Sequence, residues 1–234
     1  MTAPVKRLDA RAGAAGALLG ARVRWTGRAE GDLRPAGPAT AGRLDDLVGA
    51  PVSWLRQVHG DGVVVVGRPR PGVVRGDEGD ALVTADAAVP LAVLTADCAP
   101  VALASPEGVV AAVHAGWAGL VAGVVQRAVA VMRDLGATDV LGALGPCIRP
   151  ECYEFGASEL ERVAGALGPS VRAVTSSGLP ALDLPAAVRA ALARAGADLA
   201  ADEGVCTACA AERHYSYRAR REPERQAMVV WRAA

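Results

Sequence analysis

Phenylalanine is almost absent from this chain: it occurs once in 234 residues, and Phe, Trp and Tyr together make up 3%. A core of stacked rings is therefore excluded. With 52% hydrophobic residues, the interior is expected to be built from Ala, Val and Leu. Lysine also occurs once, as Lys6, so arginine supplies the other cations. Formal net charge is zero, and no basic tract is interleaved with aromatics, which argues against a nucleic-acid partner. No apolar run approaches the roughly 18 residues that cross a bilayer, so no membrane partner is expected. The N-terminal MTAPVKRLDARAGAAGALLG has a weakly apolar part, Ala12 to Leu19, without the strong apolar segment of a secretory signal, and it reads as cytoplasmic. The five cysteines, an odd number, argue against a disulfide framework and for reduced thiols.

No repeat or linker divides the chain, and residues 1–234 read as one domain. Arg28 to Gly42 is rich in Gly, Pro and Ala and reads as a loop. Strands are expected at Pro51 to Val58 and Gly62 to Val66 around the turn HGDG. Others are expected at Ala81 to Thr84, at Leu91 to Ala96 and Val101 to Ala104 around AspCys, and at Gly108 to Val113. Asp139 to Leu144 and Ala227 to Trp231 complete the strand set. Helical spacing predicts Leu120 to Leu135, stopped by Gly136. A second helix is expected over Ser158 to Leu167, with Ser158 as N-cap and Glu161 at capping-box spacing. A third runs from Pro185 to Ala195 behind the cap Asp183. Hairpin-like strand pairs mixed with single helices indicate an α+β fold with mixed β-sheets flanked by helices.

There are three histidines: His59, His114 and His214. His59 ends SWLRQVHG, His114 ends VVAAVHAG, and Cys98 sits at a strand end in LAVLTADCAP. Strand ends on one rim of a sheet can converge. His59, Cys98 and His114 would then give two imidazoles and a thiolate with an open fourth position, the form of a catalytic zinc site. The same spacing also fits packed core residues, or a Cys98–His114 nucleophile pair with Asp97 or Asp80 orienting the base. In VVAAVHAGWAG, Gly116 and Gly119 allow the strand to turn closely into a helix, and Trp117 reads as core filling. CTAC, Cys206 to Cys209, is a lone CxxC without the second pair of a zinc knuckle, so it reads as small buried thiols. GPCIRPECYEFG, Gly145 to Gly156, is either an anion-binding loop or a sharp turn. RHYSYRARREPER, Arg213 to Arg225, reads as a surface strand with arginines outward, or as a phosphate site.

QVHG, GDALVT, LTADCAPVALA, VVAAVHAGWAG, GPCIRPECYEFG, and CT followed by SYR occur in this order. Together they resemble the laccase-domain family, over roughly Pro51 to Trp231. Its members were described first as multicopper polyphenol oxidases and later as purine nucleoside phosphorylases with adenosine deaminase activity. The resemblance implies a cysteine-hydrolase-like α+β fold and a metal site at His59, Cys98 and His114, with zinc expected and copper as the alternative. It implies phosphorolysis of adenosine, inosine and methylthioadenosine, with Cys98, His114 and Asp97 as catalytic candidates. Arg28, Gln57, Cys147, Arg218 and Arg225 become candidates for the nucleoside and phosphate. The chain departs from the family pattern at several places. Ala118 follows HAGW where an arginine is usual, Ser105 replaces an aspartate, and PER, with Glu224, replaces Thr-Gly-Arg. An N-terminal Gly-Gly-Val-Ser stretch is replaced by GRAEGDLRP.

The competing expectations are a cysteine hydrolase or amidase editing a cell-wall precursor, and a degenerate, noncatalytic zinc-binding homologue. A copper phenol oxidase ranks last, since three histidines cannot fill a mononuclear and a trinuclear copper site.

Overall fold

The computed structural model describes residues 16–34, 38–67 and 73–233. In chain order the strands are β1 (Gly16–Leu18), β2 (Ala21–Trp25), β3 (Ser53–Arg56), β4 (Val63–Val65), β5 (Arg75–Glu78), β6 (Ala81–Thr84) and β7 (Leu91–Thr95). They continue as β8 (Ala99–Ala104), β9 (Val110–Ala115), β10 (Leu141–Leu144), β11 (Arg172–Val174), β12 (Pro180–Leu182), β13 (Asp198–Asp202) and β14 (Gln226–Arg232). The helices are α1 (Pro38–Val48), α2 (Trp117–Ala122), α3 (Val124–Asp134), α4 (Ala157–Leu167), α5 (Leu184–Arg194) and the single turn α6 (Tyr217–Arg220). One sheet has the order β1-β2-β14-β7-β3-β5 and the other β13-β10-β8-β9-β6-β4, with β11-β12 a small separate pair. Both large sheets mix parallel and antiparallel neighbours. The expected α+β architecture with mixed sheets is thus what the chain forms.

The continuous apolar runs at β8 and β9 follow from burial on both faces, and every residue of the two strands is buried. Val101, Leu103, Ala111 and Val113 pack on helix residues such as Leu120, Val129, Val163 and Leu192. Ala102, Ala104, Val110 and Ala112 pack on the other sheet through Val23, Leu91, Val93 and Met228. The far face of that sheet, with Ala92, Leu94 and Val229, is closed by Leu33 and by Leu44 of α1. The layers therefore run helix, sheet, sheet, helices. Small residues at the sheet–sheet interface let the sheets approach closely, with Trp25 packed against the cluster.

Several expected elements are corrected. The strand pairs around HGDG and AspCys are not hairpins: β3 and β7 belong to one sheet, β4 and β8 to the other. The loop read over Arg28 to Gly42 gives way to α1 from Pro38, with proline in the first turn where its missing N–H costs nothing. The helix expected over Leu120 to Leu135 breaks at Gly123, whose φ of 95° ends α2 and begins α3. Ser158 does not cap α4; Gly156 occupies that position without a side-chain bond. Asp183 does cap α5, accepting from the Ala186 N–H at 2.9 Å. Arg213 to Arg225 forms turns and α6 rather than a strand, because Ser216 caps the Ala219 N–H and Arg220 binds the carbonyls of Ala208 and His214. Among the described residues, no helix is long and apolar enough to cross a membrane.

Two glycines give opposite expectations. Gly123→Ala places a Cβ on a left-handed residue and should cost about 1–2 kcal/mol. Gly165→Ala fills open space on the exposed face of α4 and should stabilise by about 0.5–1 kcal/mol. Urea unfolding of the two variants checks both signs.

Candidate metal centre

Two of the chain's crossings between the sheets build one rim. The β3–β4 crossing carries His59, the β7–β8 crossing carries Asp97 and Cys98, and His114 is the penultimate residue of β9. In the antiparallel β8–β9 ladder Ala99 faces Ala115 and Pro100 faces His114, which sets Cys98 beside the end of β9. The ligand atoms of His59, Cys98 and His114 all lie within 4.8 Å of one another. Cys98 Sγ stands 3.7 Å from His59 Nε2, and the two imidazoles meet edge to face at 4.8 Å. Gly116 makes room for this approach. A Cβ there would sit 2.9 Å from His59 Cδ2 and 3.3 Å from Cys98 Sγ.

Asp80 holds the group together, though only as one of two alternatives could the sequence name it. It is fully buried, and its carboxylate lies 2.7 Å from His114 Nδ1. It also accepts the backbone N–H groups of Val58, His59 and Gly60 at 3.2, 3.0 and 2.8 Å. Those bonds hold His59 in the left-handed region, at φ 61°, a conformation a non-glycine residue adopts at a cost. Nδ1–H of His114 is thereby committed to Asp80, which leaves Nε2 for a metal.

Charge is arranged to match. Burial pushes the Cys98 thiol up, but the His114 charge and hydrogen bonds from both histidines outweigh it and bring the pKa down to about 6. Burial pulls His114 down, while the Cys98 thiolate and Asp80 lift it to about 9. Without metal the pair is therefore thiolate and imidazolium. A cation entering here displaces the His114 proton. Two imidazole nitrogens, one thiolate and a supporting carboxylate suit a first-row transition ion, so this group could bind a metal.

The group opens into a cavity of about 570 Å³ that is also lined by Gln57, Asp97, Trp117, Tyr153, Tyr217 and several arginines. Of the expected site residues, Gln57, Asp97, Arg218 and Arg225 reach this cavity. Gln57 spends both ends of its amide on the Leu94 backbone, at 2.7 and 2.8 Å, and so braces the wall. Asp97 does not touch His114; it accepts from the Thr207 hydroxyl and the Arg218 N–H, each at 2.6 Å. Arg218 stacks 4.6 Å over the Tyr153 ring. Arg28 lies elsewhere, ion-paired with Glu222 and stacked on Tyr215. Cys147 is buried in the core, where desolvation raises its pKa, and it does not line the cavity. Trp117 packs against the core yet also faces the cavity, contacting Phe155 edge to face at 5.6 Å. Arg34 and Arg56 line the same cavity and were missed. Arg34 stands next to last in GRAEGDLRP, the stretch that points to Arg28 instead, and Arg56 directly precedes QVHG; neither arginine is itself a marked motif position.

The chain is similar to known proteins over most of its length. The family described as multi-copper polyphenol oxidoreductase laccase matches residues 27–233. A Streptomyces coelicolor protein named purine nucleoside phosphorylase is 46% identical over 190 residues, covering 78% of this chain and 75% of its own length. A Mycobacterium tuberculosis protein of the same name is 40% identical over 207 residues, covering 86% and 81%. The crystal structure of YlmD from Geobacillus stearothermophilus aligns with a TM-score of 0.80 at 25% identity, covering 98% of this chain and 100% of that one.

Two outcomes are expected from this arrangement. In metal-free protein, alkylation of Cys98 should stay fast down to about pH 6 and fall away below it, as the thiolate is protonated. His114→Ala should return the midpoint toward the ordinary thiol value of about 8.5, read by mass spectrometry of the Cys98 peptide. Asp80→Asn should weaken metal affinity by about 10- to 100-fold in chelator competition.

Proposed function

The chain belongs to the multi-copper polyphenol oxidoreductase laccase family, and on that footing we propose that it is a zinc-dependent purine nucleoside phosphorylase that also deaminates adenosine. The observation that carries the reading is the joining, in one cavity, of the His59–Cys98–His114 group with an arginine-rich wall and aromatic faces. The relatives named purine nucleoside phosphorylase support a nucleoside and phosphate as substrates. Adenosine, inosine and methylthioadenosine are the expected nucleosides.

Zinc fits the donor set. An Sγ–Nε2 separation of 3.7 Å is close to the ~3.6 Å edge of a tetrahedral site with ordinary Zn–S and Zn–N bonds. Three protein ligands leave one position open, and a bound zinc would supply Lewis acidity there. In phosphorolysis a phosphate oxygen bonds to the ribose C1′ while the C1′–N9 bond breaks and its electron pair leaves with the purine. Arg34, Arg218 and Arg225 would hold the phosphate in line, offering planar cationic donors. Trp117, Tyr153 and Tyr217 offer apolar faces for the base. In deamination, water adds at C6 of adenine and ammonia leaves, a step that needs no phosphate. Five unpaired cysteines fit the reducing cytoplasm as the place of action.

A second reading rests on the same sulfur. Cys98, lowered to about 6 beside His114, has the form of an activated nucleophile, as in a cysteine hydrolase or amidase. The two readings respond oppositely to a chelator, because zinc and an electrophile compete for Cys98.

Zinc-loaded protein given adenosine, inosine or methylthioadenosine should release the purine base and the sugar 1-phosphate only when phosphate is present. Adenosine should also yield inosine without phosphate. Arg218→Ala or Arg225→Ala should raise KM for phosphate by about 10-fold or more, the loss of one charge-assisted contact. Neither base nor inosine from the loaded protein would sink the proposal. Activity that survives chelation, with a covalent adduct on Cys98, would favour the hydrolase.

A further inference from the structure

A second sulfur-rich cluster lies outside the His59–Cys98–His114 group. Cys152, at the end of the 3-10 turn Pro150–Cys152, meets Cys206 and Cys209 of the CTAC turn. All three sulfurs lie within 4.8 Å of one another, and Cys152 Sγ is 3.3 Å from Cys209 Sγ with no bond between them. The expectation of small buried thiols therefore holds for Cys206 but not for Cys209, which is exposed. The missing second pair of the CxxC is replaced by a single cysteine that is remote in sequence.

Burial raises the Cys206 thiol above its ordinary value, and the backbone N–H groups of Cys209, Arg149 and Ala208 act in the opposite direction. Separations up to 4.8 Å bracket the ~3.8 Å edge expected of sulfurs around a tetrahedral zinc.

We infer that Cys152, Cys206 and Cys209 form a second metal site, taking one thiophilic ion such as zinc through three thiolates, with the fourth position open beside exposed Cys209. On binding, the three thiols release their protons to solvent and no electron is transferred. The ion would tie two loops to one point. Tyr153 follows Cys152 and stacks under Arg218, while Thr207 follows Cys206 and holds Asp97. The second ion would thus brace the cavity wall opposite the first centre without touching substrate.

The test removes the first centre and asks whether an ion remains. Protein carrying His59→Ala, or Cys98→Ala should one variant fail to fold, is reduced, stripped and titrated anaerobically with cadmium and with zinc. The expected result is one ion per chain, a thiolate-to-cadmium charge-transfer absorption, and a melting temperature raised by zinc. Adding Cys209→Ser, at an exposed position, should abolish the absorption and the zinc-dependent rise, or weaken binding at least 100-fold. No ion and no absorption in the single variant would overturn the site. So would recovery of a Cys152–Cys209 disulfide in place of the ion, or binding unchanged by Cys209→Ser.

Discussion

The structure around the rim depends on one buried carboxylate. Asp80 begins the strand-end turn before β6, is sealed from solvent, and satisfies four donors from two separate parts of the chain. A buried charge is tolerated only when its hydrogen-bonding capacity is used, and here that use is structural. Three of the bonds shape the loop that carries His59, and the fourth fixes the ring of His114. Asp80 therefore converts two distant strand ends into a single geometry. The sheet registers bring Cys98 to the same place, and the absence of a Cβ at Gly116 lets the three groups close.

The opposite wall is organised by a second carboxylate. Asp97 sits at φ 97°, held by Thr207 and by the N–H of Arg218. It belongs to the same three-residue link as Cys98, yet it points to the arginine side. One short crossing between sheets thus supplies a sulfur to the metal group and an anchor to the cationic wall. This division of labour explains how a chain with nearly neutral overall charge presents a locally cationic cavity.

Much of this was legible in the sequence where local chemistry and periodicity agree. The buried runs at β8 and β9, the cap at Asp183, and the imidazoles and thiol at strand ends all announce themselves within a few residues. What could not be read is long-range. The hairpin reading of β3–β4 and β7–β8 failed because two apolar runs around a turn look alike whether they pair or part between sheets. β5, Arg75–Glu78, has no apolar alternation at all and exists only through its pairing with β3. Arg28 was drawn to the site by its place in a motif, but Glu222 and Tyr215 claim its guanidinium. Cys147 was drawn in by its loop, yet packing buries it. The choice of Asp80 over Asp97 as the partner of His114 likewise depends on which side of the rim each backbone faces.

The proposed metal site joins His59, Cys98 and His114 in the arginine-lined cavity. It is tested most directly by a crystal structure of the zinc-loaded protein with diffraction measured on either side of the zinc absorption edge. The expected result is an anomalous peak bonded to His59 Nε2, Cys98 Sγ and His114 Nε2, with Nδ1 of His114 still on Asp80. A loaded crystal with no peak at that rim, or with Asp80 turned away from His114, would contradict it.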